Sequence, residues 1–228
     1  MATYVLIPGA ASGPWYWHRV APLLEARGHD VVTPDLPCDD DAAGFGDYVE
    51  VEREAVGDRR DLVVVAQSMG AFSATMLCAE VPVDLLVLVA AMTPKPGESG
   101  GEWWGATGQA EAQRAAAVRE GRDPDDDSPE TIFLHDLPPD LAAEAMVQVR
   151  GQSGTPFASP WPLEAWPDVP TRFLLCRDDR LFPAELQRRV VTERLGFVPD
   201  EMPGGHLPAL AHPDELVERL EAYRTELA

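Results

Sequence analysis

Ser68 has the surroundings that a serine nucleophile needs. An apolar, β-branched run precedes it at residues 62–66, and small, helix-compatible residues follow it. Such a run is typical of a buried parallel strand, so the sequence predicts a sharp strand-to-helix turn at the serine. Ala66 and Gly70, two positions to either side, are small, as such a tight turn requires. An ordinary junction with a serine N-cap is the alternative, since glycine is more usual than alanine at position 66.

The turn would aim the hydroxyl of Ser68 at the N-terminus of the following helix. There a backbone N–H and the helix dipole stabilise negative charge. A second set of backbone N–H groups follows the first predicted strand, in the loop at Gly9 and Ala10. We therefore expect the N–H groups of Ala10 and Met69 to form an oxyanion hole.

A base and an acid that could activate the serine each follow another predicted strand. His206 lies in a glycine loop after the last strand, and Asp178 and Asp179 follow residues 171–176. Histidine is the base whose pKa suits neutral pH, and a carboxylate behind it fixes the tautomer of the imidazole. The sequence thus predicts a triad of Ser68, one of the two aspartates, and His206.

The other four histidines are expected elsewhere. His18 begins the first helix and has a structural role, His29 lies in an exposed turn, and His212 lies at a helix entry. His135 stands beside Phe133 in an aromatic-rich segment, from which it could face a pocket.

Alternating strands and helices predict how these residues come together. The pattern is that of an α/β protein with a doubly wound, mainly parallel, six-stranded sheet, whose reactive site lies beyond the carboxyl ends of the strands. The expected strands are residues 4–7, 31–35, 62–66, 84–90, 171–176 and 197–202. The expected helices include residues 46–56, 108–120, 139–149, 183–195 and 214–227, the last with Asp214 as its N-cap.

Residues 93–170 differ from the rest of the chain in composition. They are rich in Pro, Gly, Trp and Asp and contain no convincing strand, so we interpret them as an inserted helical lid, here called the cap. Residues 1–92 and 171–228 then form the core. Because a cap usually lends side chains to the pocket beneath it, the candidate substrate contacts include its residues Trp103, Trp104, Phe133, His135, Phe157 and Trp161. Three residues of the core that follow predicted strands complete the set: Gly9, Phe182 and Leu207.

The overall composition limits the possible partners. The 228 residues carry a net charge of -21, which argues against nucleic acid or an anionic membrane, because phosphate contacts need Lys and Arg. The three cysteines lack metal-site or disulfide spacing and are expected to be reduced thiols. With no visible leader or transmembrane span, the cytoplasm is the expected location, and a monomer or homodimer the expected state.

Four segments together resemble the α/β-hydrolases. They are residues 5–17, the serine turn, residues 178–183 and residues 204–216, and the similarity runs nearly end to end. Within that superfamily the chain resembles plant methylesterases, hydroxynitrile lyases and small bacterial esterases. The resemblance implies that the acid lies four residues before Pro183, which selects Asp179 and leaves Asp178 as a loop-capping residue. Pro8 departs from the family, which more often has histidine there.

These observations predict a cofactor-free, metal-free serine hydrolase acting on an ester of a small, mostly apolar molecule. A lyase of the hydroxynitrile type would need different residues, since the resemblance implies a hydroxyl residue where this chain has Gly9 and a lysine where it has Leu207. A thioesterase or polyketide-tailoring hydrolase is also compatible with the sequence, and so is a non-catalytic ligand-binding protein, because fold does not fix function.

Overall fold

A six-stranded parallel sheet organises the computed structural model, which describes residues 1–226. The strands of this part of the chain lie in the order β2-β1-β3-β4-β5-β6, and every neighbouring pair is parallel. The predicted fold class is therefore confirmed. The strands are β1 (Thr3–Ile7), β2 (Asp30–Val32), β3 (Leu62–Gln67), β4 (Leu85–Val89), β5 (Thr171–Cys176) and β6 (Asp200–Met202).

Helices cover both faces of the sheet, as the apolar runs of the central strands require. In chain order they are α1 (Ala21–Glu25), α2 (Phe45–Val56), α3 (Ala71–Glu80), α4 (Gly100–Thr107), α5 (Gln109–Arg119), α6 (Pro129–Ile132), α7 (Pro139–Gln148), α8 (Thr155–Ala158), α9 (Ala184–Leu195), α10 (Pro208–Ala211) and α11 (Pro213–Glu226). Alternate residues of β3 enter opposite core layers. Val64 packs in the layer that includes α2, α3 and α9, whereas Val63 and Val65 pack in the layer that includes α1 and α11.

Helices α4 to α8 all fall within the cap, residues 93–170. Its described residues form no strand of the sheet, although an isolated antiparallel bridge joins Ser99 to Pro160. The first of these helices was not predicted. The chain carries its signal, a capping box in which the Ser99 hydroxyl accepts from the Glu102 N–H and the Glu102 carboxylate accepts from the Ser99 N–H.

Three local predictions were wrong. The last strand begins at Asp200 instead of residue 197, and Val198 is exposed. Asp214 lies inside the first turn of α11, because that helix begins at Pro213; the predicted end of the helix, Leu227, lies outside the described residues. His29 is buried because its Nδ1 accepts a hydrogen bond from the N–H of Ala2.

All three cysteines, Cys38, Cys78 and Cys176, are free and buried. None of the helices formed by residues 1–226 combines the length and apolar character needed to cross a bilayer.

Candidate active site

Ser68 occupies a strained turn between β3 and α3. Its φ angle is +52°, in the left-handed region that non-glycine residues seldom adopt. A Cβ atom on Gly70 would lie 2.4 Å from the carbonyl oxygen of Pro8, so a larger residue does not fit there without a shift. The carbonyl of Ser68 accepts a hydrogen bond from the N–H of Met92, at 3.0 Å. The small residue expected at position 70 thus lets this turn approach the end of β1 closely.

Three buried side chains form a continuous chain of hydrogen-bond contacts. The hydroxyl of Ser68 lies 3.1 Å from Nε2 of His206, and Nδ1 of His206 lies 2.8 Å from Oδ2 of Asp179. These residues come from the ends of β3, β5 and β6, where parallel strands deliver their loops to one edge of the sheet. The arrangement can pass a proton from the hydroxyl to the imidazole while the carboxylate stabilises the resulting charge.

The two aspartates differ in what they contact. Oδ1 of Asp179 accepts hydrogen bonds from the backbone N–H groups of Leu181 and Phe182, at 2.9 and 2.8 Å. These bonds orient the carboxylate so that Oδ2 faces His206. Asp178 is exposed, and its Oδ2 accepts from the N–H of Gly204 at 2.9 Å. The structure therefore places Asp179 beside the imidazole and Asp178 against the backbone of the histidine loop.

Gln67 also holds the histidine loop, a contact that the sequence analysis missed. Its Nε2 donates to the backbone carbonyl of His206 at 3.0 Å. The imidazole ring itself packs edge-on against Phe182 at 5.0 Å, and against Phe133 of the cap at 5.7 Å. The position of Gln67, directly before the serine, was the available signal.

The backbone N–H groups of two residues were expected to form an oxyanion hole. Ala10 and Met69 both border the cavity into which Ser68 opens. Gly9 lies close against Gln67 and Ser68, since a Cβ atom there would lie 2.9 Å from Cβ of Ser68 and 2.3 Å from Oε1 of Gln67.

The cavity above Ser68 has a volume of about 340 Å³ and mainly apolar walls. Among the predicted substrate contacts, Trp104, Phe133, Phe157 and Leu207 line it. The sequence analysis missed further wall residues, which come from the segments that follow β1, β4 and α7 and from helices α7 and α10: Trp15, Tyr16, Met92, Met146, Val149 and Leu210. The aromatic residues of the first loop stood in the motif at residues 5–17, which offered the signal.

The remaining predicted contacts lie away from the cavity wall. Trp103, Trp161 and Phe182 are almost fully buried in the core, where Nε1 of Trp161 donates to the Thr75 hydroxyl at 3.0 Å. His135 is half-buried and turns toward Gly205, and its pKa is lowered by burial and by the nearby Arg180. Together with Gly9, these residues are corrections to the predicted contact set.

Comparisons with known proteins identify the family of the chain. A model of the alpha/beta hydrolase family matches residues 4–219. Methylesterase 3 of Arabidopsis thaliana is 27% identical over an alignment of 245 residues, covering 93% of this chain and 92% of that protein. Polyneuridine aldehyde esterase of Rauvolfia serpentina is 30% identical over 108 residues, which are 42% of this chain and only 41% of that protein.

A solved structure is similar over almost the whole fold. The pyrethroid hydrolase from Sphingobium faniae JZ-2 superposes with a TM-score of 0.77 at 22% identity, covering 98% of this chain and 97% of that one. The predicted resemblance to a branch that holds plant methylesterases and bacterial esterases is confirmed.

Proposed function

Since the chain belongs to the alpha/beta hydrolase family, we propose that it is a serine hydrolase of the carboxylesterase type. Its substrate is an ester of a small, mostly apolar molecule. The observation that carries the proposal is the contact chain from the Ser68 hydroxyl through His206 to Asp179, which opens into an apolar cavity.

Acylation begins when the Ser68 hydroxyl attacks the ester carbonyl and His206 takes its proton. Asp179 stabilises the imidazolium and keeps Nε2 directed at the serine. Negative charge develops on the former carbonyl oxygen, and the N–H groups of Ala10 and Met69 stabilise it. A donor of this kind is worth roughly 3–4 kcal/mol in the transition state.

Loss of the alcohol completes acylation, and deacylation then repeats the same steps with water. His206 first gives its proton to the departing alcohol, which leaves an acyl group on Ser68. It then takes a proton from a water molecule that attacks this acyl-enzyme. His206 returns this proton to the Ser68 oxygen as the acid is released, which restores the hydroxyl.

The walls of the cavity limit the substrate. Among residues 1–226, none of those that line the cavity is a lysine or an arginine, so this part of the chain places no cation there to pair with a carboxylate or phosphate on the substrate. The volume is at the lower end of the range for small-molecule sites. We therefore expect neutral esters of about the size of a substituted aromatic ring.

Two positions favour hydrolysis over lyase chemistry of the hydroxynitrile type. Leu207 lines the cavity and offers no charge for a departing anion. Gly9 offers no hydroxyl, and Ser68 and Gln67 leave no room for a side chain there. A non-catalytic binding role is less favoured because Ser68, Asp179 and His206 are all present and in contact.

A fluorophosphonate probe tests the proposal directly. It should label Ser68 in the wild-type protein, and Ser68→Ala should abolish both labelling and hydrolysis of p-nitrophenyl esters. Ser159→Ala, in which a cap serine is removed, is the matched control and should keep both. Labelling at another serine, or full ester turnover by Ser68→Ala, would overturn the proposal. A series of acyl chain lengths, with matched thioesters, then separates an esterase from a thioesterase.

A further inference from the structure

Ala11, next to the expected oxyanion donor Ala10, has an unusual backbone conformation. Its φ angle is +56°, in the left-handed region that disfavours residues with a Cβ atom. Such a conformation persists only where the surrounding structure holds it, and it is common at functional sites. Ala11 also borders the cavity. The loop at residues 9–13 therefore needs a restraint from outside.

That restraint comes from the cap, which contacts both polar backbone groups of Ala11. The N–H of Ala11 donates to Oε1 of Gln152 at 3.0 Å. The carbonyl of Ala11 accepts from the backbone N–H of Arg150 at 2.9 Å. The segment that follows α7, residues 149–153, thus forms hydrogen bonds with both the N–H and the carbonyl of Ala11.

Arg150 in turn connects the segment at residues 149–153 to the core. Its guanidinium group contacts Asp35 at 2.5 Å and Asp39 at 2.8 Å, and it also donates to the carbonyl of Leu36 at 3.2 Å. All three partners lie in the loop between β2 and α2. The backbone of Arg150 is therefore fixed where it meets Ala11.

Gln152 is held in the same way. Its Nε2 donates to the hydroxyl of the buried Tyr48 at 3.3 Å and to the carbonyl of Ser153 at 3.0 Å. The N–H of Ser153 in turn donates to the carbonyl of Cys38 at 2.7 Å. The amide of Gln152 is thus oriented, with its oxygen toward Ala11.

We propose that Gln152 is a positioning residue that reaches from the cap to set the oxyanion loop. By holding Ala11 in its left-handed conformation, it keeps the N–H of Ala10 directed toward the space above Ser68. This inference rests on the proposed hydrolase function. The proposal implies that the oxyanion hole is complete only while the segment at residues 149–153 packs against the core.

Gln152→Met tests this, because methionine has a similar length and lacks the acceptor oxygen. We expect kcat for p-nitrophenyl butyrate to fall roughly 10- to 100-fold, with KM changed less than about threefold. Gln113→Met is the matched control, since Gln113 is also a half-buried cap glutamine that accepts one hydrogen bond through Oε1. It should keep wild-type kcat.

A pair of ketones distinguishes positioning from general damage. A trifluoromethyl ketone adds to Ser68 and forms an oxyanion, whereas the matching methyl ketone binds as a neutral ground-state analogue. Gln152→Met should weaken the first by about the same factor as kcat/KM and leave the second within about threefold. Equal weakening of both ketones, or unchanged affinity for the first, overturns the proposal.

A second substitution should rescue the first. Glycine adopts the left-handed conformation without a steric penalty. The double variant Ala11→Gly/Gln152→Met should therefore have a kcat at least about threefold higher than that of Gln152→Met alone. No recovery would mean that Gln152 acts by some route other than the conformation of Ala11.

Amide hydrogen exchange tests the hydrogen bond between Gln152 and Ala11 without an enzyme assay. The Ala11 N–H should exchange slowly in the wild type and in Gln152→Glu, which keeps an acceptor oxygen, but roughly tenfold faster in Gln152→Met. If the wild type hydrolyses no ester, the proposed function fails while this measurement still stands. Equal exchange rates in the wild type and Gln152→Met would show that Gln152 does not protect the Ala11 N–H, and would overturn the proposal.

Discussion

Asp136 of the cap accepts a hydrogen bond from the backbone N–H of Gly205, at 2.6 Å, through its Oδ2 atom. Gly205 directly precedes His206, so this contact ties the cap to the loop that carries the proposed base. Oδ2 of Asp178 accepts a hydrogen bond from the N–H of the neighbouring Gly204. The position of the imidazole therefore depends on two carboxylates besides Asp179.

We predict that Asp136→Ala will lower kcat by roughly tenfold, because the histidine loop loses one of its restraints. Asp136→Asn keeps an acceptor oxygen and should stay within about threefold of the wild type. Asp140→Ala removes an exposed acid from the first turn of α7 and serves as the control. The measurement is kcat and KM for p-nitrophenyl butyrate. An asparagine variant as slow as the alanine variant would show that charge, not the hydrogen bond, matters.

The neighbouring aspartates give a second prediction. Asp179→Asn should reduce kcat by about 10⁴-fold, because an amide beside Nδ1 favours the wrong imidazole tautomer. Asp178→Asn should cost at most about tenfold, since an amide oxygen can still accept from the N–H of Gly204. Both variants are compared with the wild type in the same ester assay and by circular dichroism. The reverse ranking would mean that Asp179 is not the acid of the triad.

Much of this site follows from local sequence. The serine turn is predictable because the apolar run of β3, the small flanks and the helix after them are adjacent in the chain. The histidine loop is predictable for the same reason, since Gly204 and Gly205 directly precede His206. Asp179 required more than local reasoning, because either aspartate of the pair satisfies the chemistry and only the resemblance selected one.

The cap was harder to predict because its side chains are placed by tertiary packing. Trp103 and Trp104 are adjacent, yet the first is buried in the core and the second lines the cavity. Successive helical residues point about 100° apart, so one of them faces the pocket and the other does not. The hydrogen bond between Gln152 and Ala11 joins positions 141 residues apart, and the sequence around either residue gives no signal of it.

Glu52 gives a prediction about stability. It is fully buried between α2 and α3, and neither of its carboxylate oxygens has a hydrogen-bond partner among the residues that the structure describes. Burial raises the pKa of Glu52 from 4.5 to about 8. Between these pH values the folded protein keeps a proton that the unfolded chain has lost, so the free energy of unfolding falls as the pH rises.

Urea denaturation between pH 5.5 and 8 measures this effect. The wild type should lose up to about 1.4 kcal/mol per pH unit relative to Glu52→Gln, which has no titrating group at this position. Glu54→Gln changes an exposed acid of the same helix and should keep the wild-type dependence. Parallel curves for the wild type and Glu52→Gln would show that Glu52 does not titrate in this range.

The last prediction concerns the choice between hydrolase and lyase. A lyase that releases cyanide needs a positive group beside the leaving anion, because an unpaired anion in a dry pocket is costly. Leu207 and Gly9, at the two positions in question, supply neither a charge nor a hydroxyl. The wild-type protein should therefore hydrolyse short aryl or methyl esters and leave mandelonitrile intact. Ester turnover and benzaldehyde release are measured on the same preparation, each against Ser68→Ala. Benzaldehyde release that depends on Ser68, without ester turnover, would reverse the assignment.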